Sequence, residues 1–346
     1  MKVLKFGGSS VASSENIEKV LAIVEKESKN QKIAVVVSAF GKTTNALIEG
    51  ANLASTKNEG YKEILQKLEK HHFGIIKDLI PVKNQSANIS YVKQLFNHLE
   101  TIYEGCFLLQ ELTPKTLAKI SSFGELLSSY IIAKAADLSF ETGYKDSRDL
   151  IVASDNYLGA IVNFEETNQN LKAYFNGENK QVTLLPGFVA KTSEGKTTTL
   201  GRGGSDYTAS IIAAAVNAEE LQIWTDVSGM FTANPSVVKQ AFPIPHISYQ
   251  EAMELSHFGA KVIYPPTIQP VLKKEIPIWI KNTFKPEEQG TLIAQETSNN
   301  KPVKGISHIE NIGMFGQVTQ INQNIVVYPC IGIIGRKQAG ALGTSR

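Results

Sequence analysis

The pattern of apolar positions opens with a short β-like run, Lys2 to Phe6, that breaks at Gly7-Gly8-Ser9-Ser10. Behind Ser13 or Ser14 as cap, Ile17, Val20, Leu21 and Val24 then recur at helical spacing. Ile33 to Ser38 is continuously apolar, the pattern of a parallel strand covered on both faces. It ends in a second glycine-bearing turn, Phe40-Gly41-Lys42-Thr43-Thr44. The chain therefore opens with a βαβ unit.

From Tyr61 to Ala136 strand signals fade. Apolar residues at helical spacing, such as Ile64, Leu65 and Leu68, then Ile75, Ile76 and Leu79, predict a helical insertion. Strand-like runs return at Leu150 to Ala153 and Val182 to Leu185, and Phe188 to Leu200 reads as a hairpin turning at Glu194-Gly195. Leu221 to Thr225 is another buried-strand pattern, followed by Thr225-Asp226-Val227-Ser228-Gly229. A helix over Ser248 to Phe258, the Pro265-Pro266 break and a strand over Ile276 to Lys281 complete the alternation. Six or so strands alternating with helices predict a three-layer α/β domain over roughly residues 1 to 290. In such sheets ligands lie beyond the carboxyl ends of the strands, so the glycine turns and the Thr-Asp turn collect on one edge.

After Asn299-Asn300-Lys301-Pro302, which reads as a linker, Val303 to Ile309 is a further candidate strand. Ile325 to Val327 and Ile331 to Ile334 are β-like, and Gly335 to Arg346 lacks periodicity and reads as poorly ordered.

Thr197 to Ser210 concentrates the candidate chemistry. Gly201, Gly203 and Gly204 surround Arg202, and Ser205, Asp206 and Tyr207 precede the apolar run Ile211 to Val216. Glycines let backbone N–H groups approach an anion, and a helix N-terminus adds partial positive charge. Arg202 can fork onto a carboxylate or phosphate, and Asp206 can hold a metal ion or orient a phosphoryl group. A hairpin return with an ordinary helix cap would use the same residues. A buried arginine between glycines, however, requires a partner. Glu125, following Phe123-Gly124 and preceding Leu126-Leu127, reads either as a solvated acid on a helix surface or as one that faces inward, where it needs a cation such as a ligand ammonium. Gly41-Lys42-Thr43 is not a Walker A motif, because position 36 is Val, and Lys42 reads as a solvent-facing loop residue.

Composition narrows the setting. The 346 residues have room for about two domains. A formal net charge of +2 gives no reason to propose nucleic acid or an anionic membrane as partner, so any anion site is local. The start lacks a signal-peptide h-region and no run approaches a membrane span, which predicts a cytoplasmic protein. Cys106 and Cys330 stand without CxxC spacing and suggest neither zinc nor a disulfide framework.

Six ordered motifs carry a resemblance: KFGGSS at Lys5 to Ser10, VVSAFGKTTN at Val36 to Asn45, SFGELLS at Ser122 to Ser128, TLGRGGSDYTA at Thr199 to Ala209, WTDVSGMFTANP at Trp224 to Pro235 and FGAKVIYPPT at Phe258 to Thr267. Over residues 1 to about 312 the chain resembles the aspartokinases, within the amino acid kinase family. The Thr-Asp turn is shared with glutamate, acetylglutamate and uridylate kinases, whereas KFGGSS, SFGEL and GRGGSD separate the aspartokinases from them. The resemblance implies an α/β/α sandwich of the amino acid kinase type with a mostly parallel central sheet. It also implies ATP-dependent phosphorylation of the L-aspartate β-carboxylate, with Mg2+, at the head of lysine, threonine and methionine biosynthesis.

Carried onto this sequence, it implies that Lys5, with Gly7, Gly8 and Ser9, contacts the transferring phosphate. Ser38, Thr44, Glu125, Arg202, Gly203, Gly204 and Ser205 would hold aspartate. Thr225, Asp226, Phe231, Lys261 and Val262 would border ATP, and Asp206 would orient the reacting groups or Mg2+; no metal site built from protein ligands is implied. Three positions depart from the family pattern: Phe231 stands where Tyr is usual, Ser236 where Arg is usual and Tyr264 where His is usual.

The segment VKGISHIENI is similar to the junction into the paired regulatory (ACT) domains of aspartokinases, and the preceding stretch is similar to the kinase half of bifunctional aspartokinase–homoserine dehydrogenases. The expected division is a catalytic domain over 1–298, then a linker and the incomplete start of a regulatory region over 299–346, for which a shortened or damaged reading frame is the simplest account. Such a chain is expected to bind ATP without responding to threonine or lysine, and to form a homo-oligomer weaker than a full-length enzyme. Two other classes stay open: a sister kinase for another carboxylate or a nucleotide, and an effector-binding protein that keeps the cradle without turnover.

Overall fold

The computed structural model describes residues 1–178, 180–257, 262–295 and Gly305, together with the backbone of two strands at 315–321 and 324–330. In chain order the strands are β1 (Lys2–Phe6), β2 (Ile33–Val37), β3 (Thr142–Tyr144), β4 (Val182–Pro186), β5 (Val189–Lys191), β6 (Thr197–Thr199), β7 (Leu221–Thr225), β8 (His246–Ser248), β9 (Ile278–Asn282), β10 (Thr291–Ala294), β11 (Phe315–Ile321) and β12 (Asn324–Cys330). The α-helices are α1 (Ser14–Ser28), α2 (Thr43–Ser55), α3 (Gly60–Leu79), α4 (Val82–Leu109), α5 (Pro114–Ala136), α6 (Phe164–Gly177), α7 (Gly204–Ala215), α8 (Tyr249–His257) and α9 (Gln269–Leu272).

Eight strands form one sheet in the order β3-β4-β2-β1-β7-β9-β10-β8. Every neighbouring pair in it is parallel except β9 and β10. All five residues of β2 and of β4 are buried, which explains why their sequences are continuously apolar rather than alternating. The period-2 geometry of strands then sorts these residues onto two faces. Leu4, Phe6, Val35 and Val37 pack with the helices α1 to α5, while Val3, Ala34 and Val36 pack with residues of α7 and α9. The result is the expected three-layer sandwich.

Local signals set the helix boundaries. Ser13 caps α1, its hydroxyl accepting from the Asn16 N–H at 3.3 Å. Thr113 caps α5 ahead of Pro114 at the first helical position. Ser248 and Glu251 form a reciprocal capping box that starts α8: the Glu251 N–H donates to Ser248 Oγ and the Ser248 N–H to Glu251 Oε2. The helical insertion is as expected, with α3, α4 and α5 spanning nearly all of 60–136, and Tyr103 of α4 donates its hydroxyl to the Leu47 carbonyl of α2 at 2.8 Å.

One element differs. Leu150 to Ala153 forms no strand and makes only single bridges, Val152 to Lys191 and Ala153 to Val162. The free edge of β4 is already taken by β3, and the Val152 N–H is bonded instead to Thr167 Oγ1 at 3.0 Å. The 188–200 hairpin forms as β5 and β6, turning through Gly195 at φ +77°. Lys42 is exposed and Cys106 is buried. Among the described residues no helix is long and apolar enough to cross a membrane. Ile325 to Val327 lies in β12, which pairs antiparallel with β11. Ile331 to Ile334 and Gly335 to Arg346, like Val303 to Ile309 apart from Gly305, lie outside the described residues.

Candidate active site

The order of strands reverses direction at β1: β2, β4 and β3 lie to one side of it and β7 and β9 to the other. Such a switch point leaves a crevice beyond the carboxyl ends of the strands. The Gly7 N–H donates to the Trp224 carbonyl at the end of β7, and the Gly41 N–H donates to the Gly8 carbonyl from the turn after β2. Gly8 is required by this approach: a Cβ there would lie 3.0 Å from both the Ala39 and Gly41 carbonyl oxygens. The glycine turns and the Thr225-Asp226 turn thus meet on one edge, as expected.

Lys5 sits in the middle strand of this crevice and is only 9% exposed. Its ammonium lies 2.7 Å from Asp206 Oδ1 in the first turn of α7, an ion pair at hydrogen-bond length but outside hydrogen-bond angles. Glu125 of α5 is 5% exposed, and its Oε2 has no hydrogen-bond partner among the described residues. Desolvation pushes the Glu125 carboxyl up to about 8, against the opposing effects of the Ala39 backbone hydrogen bond and the Lys5 charge. Glu125 therefore faces inward, the second of its two readings, and its burial favours the neutral carboxyl until a cation reaches it.

The loop after β2 is held from below. Ser128 Oγ donates to the Ser38 carbonyl at 2.8 Å, and the Ser38 N–H donates to the Phe6 carbonyl. Gly124 lets α5 approach that loop, since a Cβ there would lie 2.8 Å from Ala39 Cβ and 3.2 Å from Thr44 Oγ1. Ser38 and Thr44 are half-buried at this junction. Ser9 is exposed, its carbonyl accepting from Asn16 Nδ2.

The Gly201–Ser205 turn corrects one expectation. Arg202 is exposed rather than buried between its glycines: Gly201 and Gly203, at φ +74° and +71°, turn the backbone so that the guanidinium lies over the Tyr264 ring, 5.3 Å from its centroid. Helix α7 starts at Gly203 with no side-chain cap. Ser205 packs on Gly187, where a Cβ would lie 2.5 Å from Ser205 Cβ. Phe188 adopts φ +69°, donates its N–H to Thr208 Oγ1 and covers Gly204 with its ring.

On the β7 side, Thr225 Oγ1 donates to Asp226 Oδ1, and the Thr225 carbonyl accepts from the Thr283 N–H. Ser10 and Thr283 hydroxyls meet at 2.7 Å beneath this turn. Phe231 is half-buried in a single bridge to Pro243, a contact not shared with Lys5, Glu125 or Asp206. Val262 packs on the α7-side core, Ser236 is exposed against Asn234, and Lys261 lies outside the described residues.

Sequence reasoning missed Ser128, Ser10 and Thr283, which look like any serine or threonine of a helix or loop, and the Gly187-Phe188 junction, read only as the entry to a hairpin. A glycine followed by a bulky residue at the end of a buried strand was the available signal.

A model of the amino acid kinase family matches residues 1–282. The chain belongs to the amino acid kinase family. Among its relatives is a bifunctional aspartokinase/homoserine dehydrogenase of Buchnera aphidicola, 37% identical over 322 residues that cover 91% of this chain and 39% of the relative. An aspartokinase of Chlamydia pneumoniae is 34% identical over 294 residues, covering 84% of this chain and 62% of the relative. Of solved structures, E. coli aspartokinase III in complex with aspartate and ADP (R-state) superposes with a TM-score of 0.79 at 30% identity, over 86% of this chain and 65% of that one. This amino acid kinase chain thus spans less than two thirds of the length of each of these relatives.

Proposed function

We propose that this chain carries aspartokinase activity, transferring the γ-phosphoryl group of ATP to the β-carboxylate of L-aspartate. The observation that carries the reading is the buried Glu125 carboxyl, one oxygen unpaired, beside the Lys5–Asp206 ion pair at the sheet's switch point. A site prepared for phosphate alone has no use for a buried acid, whereas an amino-acid substrate brings an ammonium that satisfies it.

In this reading Glu125 takes the α-ammonium and Arg202 forks onto the α-carboxylate, with Ser38, Thr44, Gly203, Gly204 and Ser205 shaping the pocket. The β-carboxylate, with an ordinary pKa near 4, is already an anion and needs no general base. One of its oxygens bonds to the γ-phosphorus as the bond to the β-phosphate oxygen breaks, giving ADP and an acyl phosphate. The obstacle is repulsion between anions, so positioning and charge neutralisation dominate. Lys5 holds the transferring phosphoryl group, with the Gly7, Gly8 and Ser9 backbone around it, and Thr225, Asp226, Phe231, Lys261 and Val262 border the nucleotide.

Among the described residues no cluster of three or more acid, histidine or cysteine ligands could hold a metal by itself. Asp206 and the exposed Asp226 suit a Mg2+ that takes most of its ligands from phosphates and water, where it would supply further charge neutralisation. Residues 1–298 form the catalytic unit in this reading, and 299–346 begin a regulatory region; the antiparallel pairing of β11 and β12 is compatible with that division.

The test is ADP release coupled to trapping of the acyl phosphate as its hydroxamate. L-Aspartate should support turnover, and succinate, which lacks the ammonium, should not. ADP release with glutamate or UMP but not aspartate would assign a sister kinase. ATP binding without ADP release on any acceptor would assign an effector-binding role.

A further inference from the structure

We infer that Tyr264 is the positioning residue for Arg202, fixing by ring stacking the guanidinium that recognises the substrate carboxylate. The inference rests on the aspartokinase reading for the substrate and on geometry for the stack.

An arginine on a glycine turn is poorly suited to bidentate recognition unless something restricts it. Its side chain has many rotamers, and the flanking glycines add backbone freedom. Arg202 is exposed and has no acidic partner among the described residues. What it does have is the Tyr264 ring, with the guanidinium carbon 5.3 Å from the centroid. Stacking suits this role: it restricts the plane of the guanidinium while leaving the N–H groups at its edge available to donate, which an ion pair with a protein carboxylate would not.

The platform under the ring is rigid. The Tyr264 carbonyl accepts from the Thr267 N–H at 2.9 Å and from Thr267 Oγ1 at 2.6 Å, and Thr267 is 2% exposed. Pro265 opens the 3-10 turn Pro265–Ile268 that follows. The Arg202–Gly203 turn is seated on this platform: a Cβ at Gly203 would lie 2.8 Å from Thr267 Cγ2 and 3.1 Å from Tyr264 Cβ. Tyr264 itself is 39% exposed, so its ring lies at the surface beside Arg202 rather than in the core.

The role depends on the ring and not on the hydroxyl. Tyr264→Phe should therefore restore what Tyr264→Leu removes. The sequence has only four arginines, Arg148, Arg202, Arg336 and Arg346, so the Arg202 side chain can be followed by NMR in the full chain labelled at arginine. Its δ-methylene and Nε–H signals should be shifted upfield by the ring in the wild type and in Tyr264→Phe, and should move to ordinary positions in Tyr264→Leu. Unchanged Arg202 signals in Tyr264→Leu would overturn the inference whatever the substrate proves to be.

In turnover, Tyr264→Leu should raise KM for aspartate about three- to thirtyfold, with kcat and KM for ATP nearly constant. That increase should disappear in an Arg202→Ala background. A KM effect that persists there, or a matching loss in kcat, would mean that Tyr264 acts through the fold and not through Arg202. Absence of aspartate turnover in the wild type would instead overturn the functional reading, with the NMR comparison still deciding the stack.

Discussion

Lys5 Nζ lies 2.7 Å from Asp206 Oδ1, and the two side chains are only 11% and 15% exposed. The pair joins the central strand to the first turn of α7, so the charge that faces the crevice is fixed by two elements at once. Lys5→Ala should lower kcat by about 100- to 1,000-fold, as removal of one preorganised stabiliser of the transition state does. Aspartate binding by calorimetry should change far less. The Tm should also fall, because Asp206 is left without its counter-charge. A loss of kcat below tenfold would remove Lys5 from the reacting centre.

Glu125 gives a pH dependence with a definite sign. Its carboxyl is raised from 4.5 to about 8 in the folded chain. Between those values the native state binds a proton that the unfolded state has lost, so this group makes stability fall as pH rises. His72 acts oppositely: buried against Phe40 and Phe96, with Nδ1 on the Leu68 carbonyl, it is lowered from 6.5 to about 4, and stability rises with pH across that interval. His71 and His98, also lowered by burial, act in the same direction as His72; these slopes oppose that of Glu125 up to about pH 6.5, and Glu125 dominates from there to about pH 8. In that window stability should fall with rising pH, by about 1 kcal/mol per pH unit in the free protein. Thermal unfolding of Glu125→Gln at pH 6.5 and 8 should show the slope abolished; an unchanged slope would mean that Glu125 is ionised throughout.

Arg202→Lys keeps the charge and loses the planar fork, so KM for aspartate should rise clearly while kcat is nearly retained. Steady-state kinetics with saturating ATP checks this. An unchanged KM would move the carboxylate contact elsewhere.

Gly124→Ala tests the support under the substrate loop. The added methyl meets Ala39 Cβ at 2.8 Å and Thr44 Oγ1 at 3.2 Å, and both belong to the segment that shapes the pocket. Overpacking of this kind costs about 1 to 3 kcal/mol, read as a shift in the denaturant midpoint. Aspartate KM should rise in the same variant. A neutral result in both measurements would show that the loop yields freely.

Much of this architecture was legible because buried parallel strands carry a conspicuous signature. IAVVV in β2 and the KVLKF-Gly-Gly sequence of β1 announce their type and end without tertiary information. Glu125 was only half legible: a lone acid amid Ser, Phe, Gly and Leu suits an inward face as well as a solvated one, and its 5% exposure decides for the first. Arg202 was misjudged because sequence spacing carries no sign of which way a glycine turn directs its middle side chain. That direction is set by Tyr264 and Thr267, which lie far along the chain. Leu150 to Ala153 failed for a related reason: its apolar pattern suited a strand, but β3 had already taken the available edge.

The position of β1 also sets when the site can exist. Its partners are β2, which follows closely in the chain, and β7, which begins only at Leu221. During synthesis the helices α2 to α5 and their contacts with β2 can assemble early, whereas the crevice lacks one wall until the Thr225 turn has left the ribosome. At ordinary elongation rates that is roughly 10 to 45 seconds after initiation. Throughout that interval Lys5 has neither Asp206 nor the second edge of its strand pairing, so the nascent amino-terminal half presents an open, strongly apolar strand edge.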